Sequence, residues 1–211
     1  MADAIQGVIR APQYTSQQTS MAVNERSEQI VSQGLPYGAE YTRAGKAWST
    51  MSTSAVAALV VRPSTTAAFE IFNGYAAGGK SLIIDRLFWF ELVSITLAEA
   101  ASGWASVTAA KAAPTSGSFV VRGSNGKAYG GPVICAASTT VIDSGWFPWA
   151  NLGMSRPVTA AITPMGVAVA DVNGRLVVPP QCSLCLHAIA SVVGQTFTQG
   201  ASWIEEQISN E

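Results

Sequence analysis

From about residue 54 onward the chain is a succession of short runs rich in β-branched and aromatic residues, among them AAFEIFN, WASVTAA, SFVVRG, PVICAA, GVAVADV and SLCLHAIASVV. Turn signals separate the runs at intervals of roughly 8–12 residues, the spacing of strands in a sandwich or barrel. Three Asn-Gly pairs, Asn73-Gly74, Asn125-Gly126 and Asn173-Gly174, fall between runs. This dipeptide tolerates the positive φ angles of turns that match strand twist. Pro63, Pro114, Pro132, Pro157 and Pro179-Pro180 stand at run boundaries, where a missing N–H removes no ladder bond. No 3.6-residue period of helical length interrupts this region. These features predict an all-β domain over 54–211, an antiparallel two-sheet β-sandwich.

The longest run, KSLIIDRLFWFELVS, tests the alternation. Strict period-2 reading puts Leu82, Ile84, Phe88 and Phe90 on one face with Arg86, and Ile83, Leu87 and Trp89 on the other with Asp85 and Glu91. Both faces are then largely apolar, and a strand of this kind is covered on both sides. The cover is a neighbouring subunit or a large internal loop.

Composition points the same way. Of 211 residues 48% are apolar, enough for a sizeable core, whereas only 12% are charged, about half the roughly 25% of an average domain. Surface charge keeps free monomers soluble, so this chain is expected to cover much of its surface with other protein. The net charge of −1 argues against a nucleic-acid partner. No window reaches the roughly 18 apolar residues of a membrane-spanning helix, and the N-terminus lacks a charged start followed by an apolar run. Three cysteines leave at least one thiol unpaired within the chain, which fits a soluble protein made in a reducing cytoplasm.

Residues 1–53 differ from the rest, being rich in Gln, Ser and Thr with no sustained period, although SMAVNERSEQIVSQ has the pattern of a short helix. The segment reads as an extended arm ordered against a neighbour or as a disordered tail. Arg10, Arg26, Arg43 and Lys46 are balanced by Asp3, Glu25, Glu28 and Glu40. An arm that neutralises phosphates is strongly basic; this one is neutral.

The sharpest motif is Cys182-x-x-Cys185-x-His187 in LVVPPQCSLCLHAIA. Structural zinc takes four ligands, for which Cys135 is the remaining candidate. On a strand, however, Cys182 and Cys185 point to opposite faces, while Cys185 and His187 share one. A reactive C-x-x-C opens a helix, whereas this one opens a strand. The expected reading is therefore buried cysteine, with no metal and no cofactor. A single histidine, the lack of a G-x-S-x-G elbow and adjacent carboxylates at Glu205-Glu206, which point apart on a strand, supply no catalytic constellation, and no small-molecule substrate is expected. Glu70, Asp85 and Glu91 sit in apolar runs as candidates for buried pairing with Arg62 or Arg86. The aromatic cluster GWFPWANLG supplies Trp146, Phe147 and Trp149. With Tyr37, Tyr41 and Trp48 on the arm and Trp203 on the last run, these make the candidate interface. Aromatic rings on a loop also stack on sugars.

The pattern over 54–211, with GGKSLIIDRLFWF in its middle and GRLVVPPQCSLCLHAIASVVGQTFTQGASWIEE at its close, resembles virion structural proteins of tailed bacteriophages, particularly the head-decoration (cement) type. That resemblance implies a jelly-roll sandwich, a homotrimer on the outside of an icosahedral head, and an arm reaching across the major capsid protein or a neighbouring copy. It also implies assembly in a host cytoplasm. The rival classes are a tail or receptor-binding module and a jelly-roll subunit that itself forms a shell.

Overall fold

The computed structural model describes residues 37–93, 99–109, 113–114, 119–143, 145–155 and 167–208. After one short helix, α1 (Tyr37–Arg43), eleven strands follow: β1 (Ala47–Met51), β2 (Val56–Ala57), β3 (Thr66–Phe72), β4 (Ser81–Val93), β5 (Glu99–Ala109), β6 (Arg122–Gly123), β7 (Ile134–Thr140), β8 (Phe147–Ser155), β9 (Val167–Val178), β10 (Cys182–Ala190) and β11 (Thr196–Glu206). They form two antiparallel sheets, ordered β6-β1-β11-β4-β9 and β7-β3-β10-β5-β8, with β2 paired to β11. The expected all-β sandwich is present. Its connectivity is that of a jelly roll: β1-β11-β4-β9 face β3-β10-β5-β8, and the chain changes sheet at each step between these eight strands except from β5 to β8. The β5–β8 connection also supplies β6 and β7, which extend one edge of each sheet.

The sandwich begins earlier than expected. Residues 1–36 of the arm, including the candidate helix in SMAVNERSEQIVSQ, lie outside the described residues, but Ala47–Met51 is strand β1, registered against β11 from Ala47↔Ile204 to Met51↔Gly200. Helix α1 delivers the chain to it. Lys46 N–H donates to Tyr41 O and Gly45 N–H to Thr42 O, with Gly45 at φ 70°. This is the paired bonding of a Schellman C-cap, which needs a residue without a Cβ at the left-handed position.

Strand β4 departs from strict alternation. Its register against both neighbours shifts at Asp85, between Ser202 and Trp203 of β11 and between Ile84 and Arg86 on the β9 side. One extra residue reverses the parity of everything after it. The inward set is therefore Leu82, Ile84, Leu87 and Trp89, each fully buried, followed by Glu91. Phe88 and Phe90 stand half-buried on the outer face with Ile83 and exposed Arg86, which corrects the face assignment read from the sequence.

Asn173-Gly174 also behaves unexpectedly. Both residues have positive φ (50° and 77°), as a type I′ turn requires, yet the turn sits inside β9 as a bulge. Asp171 pairs Arg86 and Leu176 pairs Ile84, so 172–175 bulge opposite Asp85. Asn125-Gly126 does close a hairpin (Gly126 N–H to Gly123 O, 2.8 Å). Asn73 is buried, its Nδ2 donating to Lys80 O and Val178 O and its Oδ1 accepting from Tyr75 N–H.

The core lies between the sheets around Trp89, Trp203, Phe69 and Leu184, with Phe119 stacked on Phe69 at 5.4 Å. Trp89 fits because Gly103 on the facing sheet has no side chain. A Cβ there would lie well inside van der Waals contact with the Trp89 ring.

Candidate interaction surfaces

Strand β10 carries the cysteine–histidine motif to the centre of the second sheet, between β3 and β5. As the alternation requires, Leu184, Leu186 and Ala188 enter the main core, whereas Cys185 belongs to a separate cluster with Ala67, Val141, Trp146 and Trp104 on the outer face. Cys182, at the strand's start, packs against the main core. Among the described residues no three His, Cys, Asp or Glu side chains converge as metal ligands.

That outer face is buried. Glu70, Ser106, Thr108, Ser183, Cys185 and His187 are each less than 5% exposed. The segment after β7 covers part of this face, where Val141 and Trp146 pack with Cys185. Val141 N–H donates to Thr65 O, Thr108 Oγ1 to Ile142 O at 2.9 Å, and Trp146 Nε1 to Ser64 O at 2.9 Å. Outside, Arg62 grips Asp143 through two bonds of 2.8 and 3.0 Å. The doubly covered strand is thus β10, and an internal loop covers it. Ser183 donates to buried Glu70 at 2.5 Å. Burial, and secondarily the Glu70 charge, hold the Cys185 thiol well above its ordinary range; burial likewise raises Cys135 to about 12. These thiols are poor nucleophiles at neutral pH.

His187 Nδ1 lies 3.0 Å from Ala188 O, and burial holds the ring below its ordinary pKa. Glu70, Cys185 and Ser106 share its face of the sheet, with Trp104 opposite it on β5. Because the fold favours neutral imidazole, the unfolded chain takes up a proton that the native state refuses. This contribution to stability is complete above about pH 6.5 and is lost as the pH falls through the depressed native value. As His187 is the only histidine, its ring C–H NMR resonance should titrate alone, with a midpoint below that of free imidazole. A midpoint at or above 6.5 would contradict its burial.

A second buried constellation closes the end of the sandwich where β11 finishes. Glu205 points inward, 3% exposed, and accepts a 2.8 Å bond from the Tyr75 hydroxyl. Tyr129 bonds Glu205 as well and packs edge-on against Trp48 at 4.8 Å. Lys80 Nζ lies 3.7 Å from the carboxylate. Glu206 turns outward to Lys46 at 2.8 Å, as expected for adjacent carboxylates on a strand. Burial and the Glu205 bond raise Tyr75 to about 12, and the same two causes raise Tyr129 further. The folded chain therefore keeps protons that the unfolded chain releases above about pH 10, so this stabilisation is present below pH 10 and lost as the pH rises through 12. In an absorbance titration two of the five tyrosines should ionise late. Glu205→Gln should bring Tyr75 down towards 10, and an unchanged curve would remove the carboxylate from the account.

The candidate interface aromatics separate. Trp203 is 1% exposed in the main core and Trp146 is 4% exposed within the cover over Cys185, so both serve the fold. Trp48 and Trp149 are half-buried against the main core. Tyr41 is half-buried on α1, and the Tyr37 side chain lies outside the described residues. Only Phe147 is freely exposed, at 68%. Trp149 joins the open edges of the two sheets. The Arg175 guanidinium lies over its ring at 5.2 Å and donates to the Asp171 and Val172 carbonyls of the β9 bulge. Beside Trp149 an open cleft of about 620 Å³ is lined by Val60, Pro148, Asn151, Ile189 and Ser191.

No family model, curated protein or solved structure matches this chain. Its own surfaces carry the functional argument.

The informative residues that sequence reasoning missed are exposed valines. Val60, Val61, Val167 and Val193 are 49–70% exposed. In sequence they resemble the valines of any buried strand, and only strand ends and pairing reveal them as surface.

Proposed function

We propose that this chain is a structural subunit of a virus particle: a head-decoration (cement) protein that binds the major capsid protein and copies of itself on the outside of a bacteriophage head. The observation that carries this reading is a jelly roll whose exposed surface presents large apolar side chains in a chain with 12% charged residues. A jelly roll alone serves many functions. An apolar, charge-poor exterior selects among them for a protein that works inside an assembly. The titratable groups with reactive chemistry support this: Cys185, His187 and Glu70 are buried, and Glu205 is engaged by two tyrosines.

Electron microscopy of particles assembled with and without the protein tests the reading. Heads that lose mechanical or thermal stability without it support decoration. Intact heads that no longer adsorb to cells would replace it with a receptor-binding role. The open cleft beside Trp149 favours that second reading, since aromatic rings in shallow clefts stack on sugars; a glycan array is its direct test.

A further inference from the structure

Several exposed apolar side chains gather at one end of the sandwich and a cluster of charges stands at the other, while Asp85, Arg86, Asp171 and Arg175 lie between. At the end where β4 and β11 meet at Ser81↔Glu206 are Glu40, Arg43, Lys46, Lys80, Lys127 and Glu206. At the other end β1 finishes at Met51↔Gly200, β4 at Val93↔Thr196, β9 begins at Val167↔Phe90 and β10 finishes at Ala190↔Ala101. There Val60, Val61, Leu92, Val93, Val167 and Val193 are 38–70% exposed. From Ser52 to Val61 and from Ser191 to Gly200 the chain has no acidic or basic residue. Among the described residues the charges close by are Arg62 and Asp143, which pair with each other, buried Glu91, and Glu99 at the start of β5.

We infer that this apolar end is a self-association surface, occupied by the same end of a second copy of the chain. Three observations support that occupant. First, the charge-free segments Ser52–Val61 and Ser191–Gly200 are best met by segments equally free of charge, because an unpaired charge buried against them is penalised; a second copy of this chain carries such segments. Second, the six side chains leave on the order of 500 Å² of apolar surface in water, the size of a functional patch. That is a large part of the roughly 800 Å² per partner in a standard interface. Third, the end carries both projections and a hollow. Val193 stands 70% exposed on the β10–β11 turn, and the cleft lined by Val60, Pro148 and Trp149 opens beside it. A projection that enters the hollow of a second copy, and receives that copy's projection in its own hollow, makes a self-complementary two-fold contact. A lipid bilayer is the poorer occupant, since membrane-binding loops carry Lys or Arg and the segments Ser52–Val61 and Ser191–Gly200 carry neither.

The inference rests on the reading of the chain as an assembly subunit, and its test separates the two. Sedimentation velocity and light scattering on the full chain should show a discrete oligomer. Val61→Glu and Val193→Glu change side chains already in water, so the circular dichroism spectrum should stay as in the parent, while self-association weakens at least about 100-fold. Lys127→Glu, at the charged end, should leave the oligomer intact. An oligomer that survives both glutamate variants would overturn the surface assignment and leave the assembly reading standing. A parent chain that is monomeric at high concentration, and that neither binds heads nor stabilises them, would sink both. A monomer that floats with phosphatidylcholine vesicles would assign the end to a bilayer.

Discussion

Trp89→Ala is expected to destabilise the fold by about 3–5 kcal/mol, the range for removing a fully buried large aromatic side chain. The ring is fully buried at the centre of the sandwich and lies flat against the backbone of Gly103 on the facing sheet. Truncation therefore opens a cavity that both sheets bound, and a stiff strand pair relaxes little into it. Chemical denaturation should show a lower midpoint with an unchanged slope. Trp89→Phe should cost much less, because the indole N–H is buried without an acceptor among the described residues and phenylalanine removes that desolvated donor. The complementary change, Gly103→Ala, forces a methyl group into the ring and is expected to cost about 1–3 kcal/mol. The two should couple: in a Trp89→Leu background the same Gly103→Ala should cost clearly less. Additive costs would show that the sheets do not meet at this pair.

Trp146→Ala should have an effect of similar size and a distinctive chemical signature. Trp146 is the largest side chain of the cover over β10, and its N–H tethers the loop to Ser64 O. Losing it removes the apolar cover of Ala67 and Cys185 and frees a carbonyl, for an expected cost of about 3–4 kcal/mol. In the parent, Cys135 and Cys185 should resist thiol reagents at neutral pH, while half-buried Cys182 reacts slowly. In the variant Cys185 should become reactive under conditions where the protein remains folded, detectable by mass spectrometry of the labelled peptide. Destabilisation with Cys185 still protected would mean that other parts of the chain seal that face.

Local patterns in the sequence carried the β character and the turn chemistry. The runs AAFEIFN, WASVTAA and SLCLHAIA became strands β3, β5 and β10, whereas SAVAALVV and SFVVRG gave only the two-residue strands β2 and β6, and the opposite orientations of Cys182 and Cys185 followed from period 2 alone. The Schellman cap at Gly45 was legible in principle, as a glycine followed by Lys46 after a short helical stretch. The polar composition of the first fifty residues concealed β1, because AWSTM is too short to show a period. The aromatic residues were the least legible. Trp146, Trp149 and Trp203 look alike in sequence, yet one pins a loop, one joins two sheet edges and one fills the core.

What the sequence by itself determined is the material of the fold: two apolar strand faces in a charge-poor chain, thiols placed on strands instead of in a metal knuckle, and turns at defined points. Those properties are local, set by the chirality of the backbone and by side-chain period. Tertiary structure alone decided which faces meet. A single inserted residue at Asp85 exchanged the two sides of the longest strand, and Asn173-Gly174 became a bulge because β9 resumes its pairing with β4 beyond it. The fold also gathered exposed valines at the end where β10 turns into β11. Such outcomes depend on pairing between strands as much as 160 residues apart in the chain, as Lys46 and Glu206 are, and a period-2 pattern does not encode its partner.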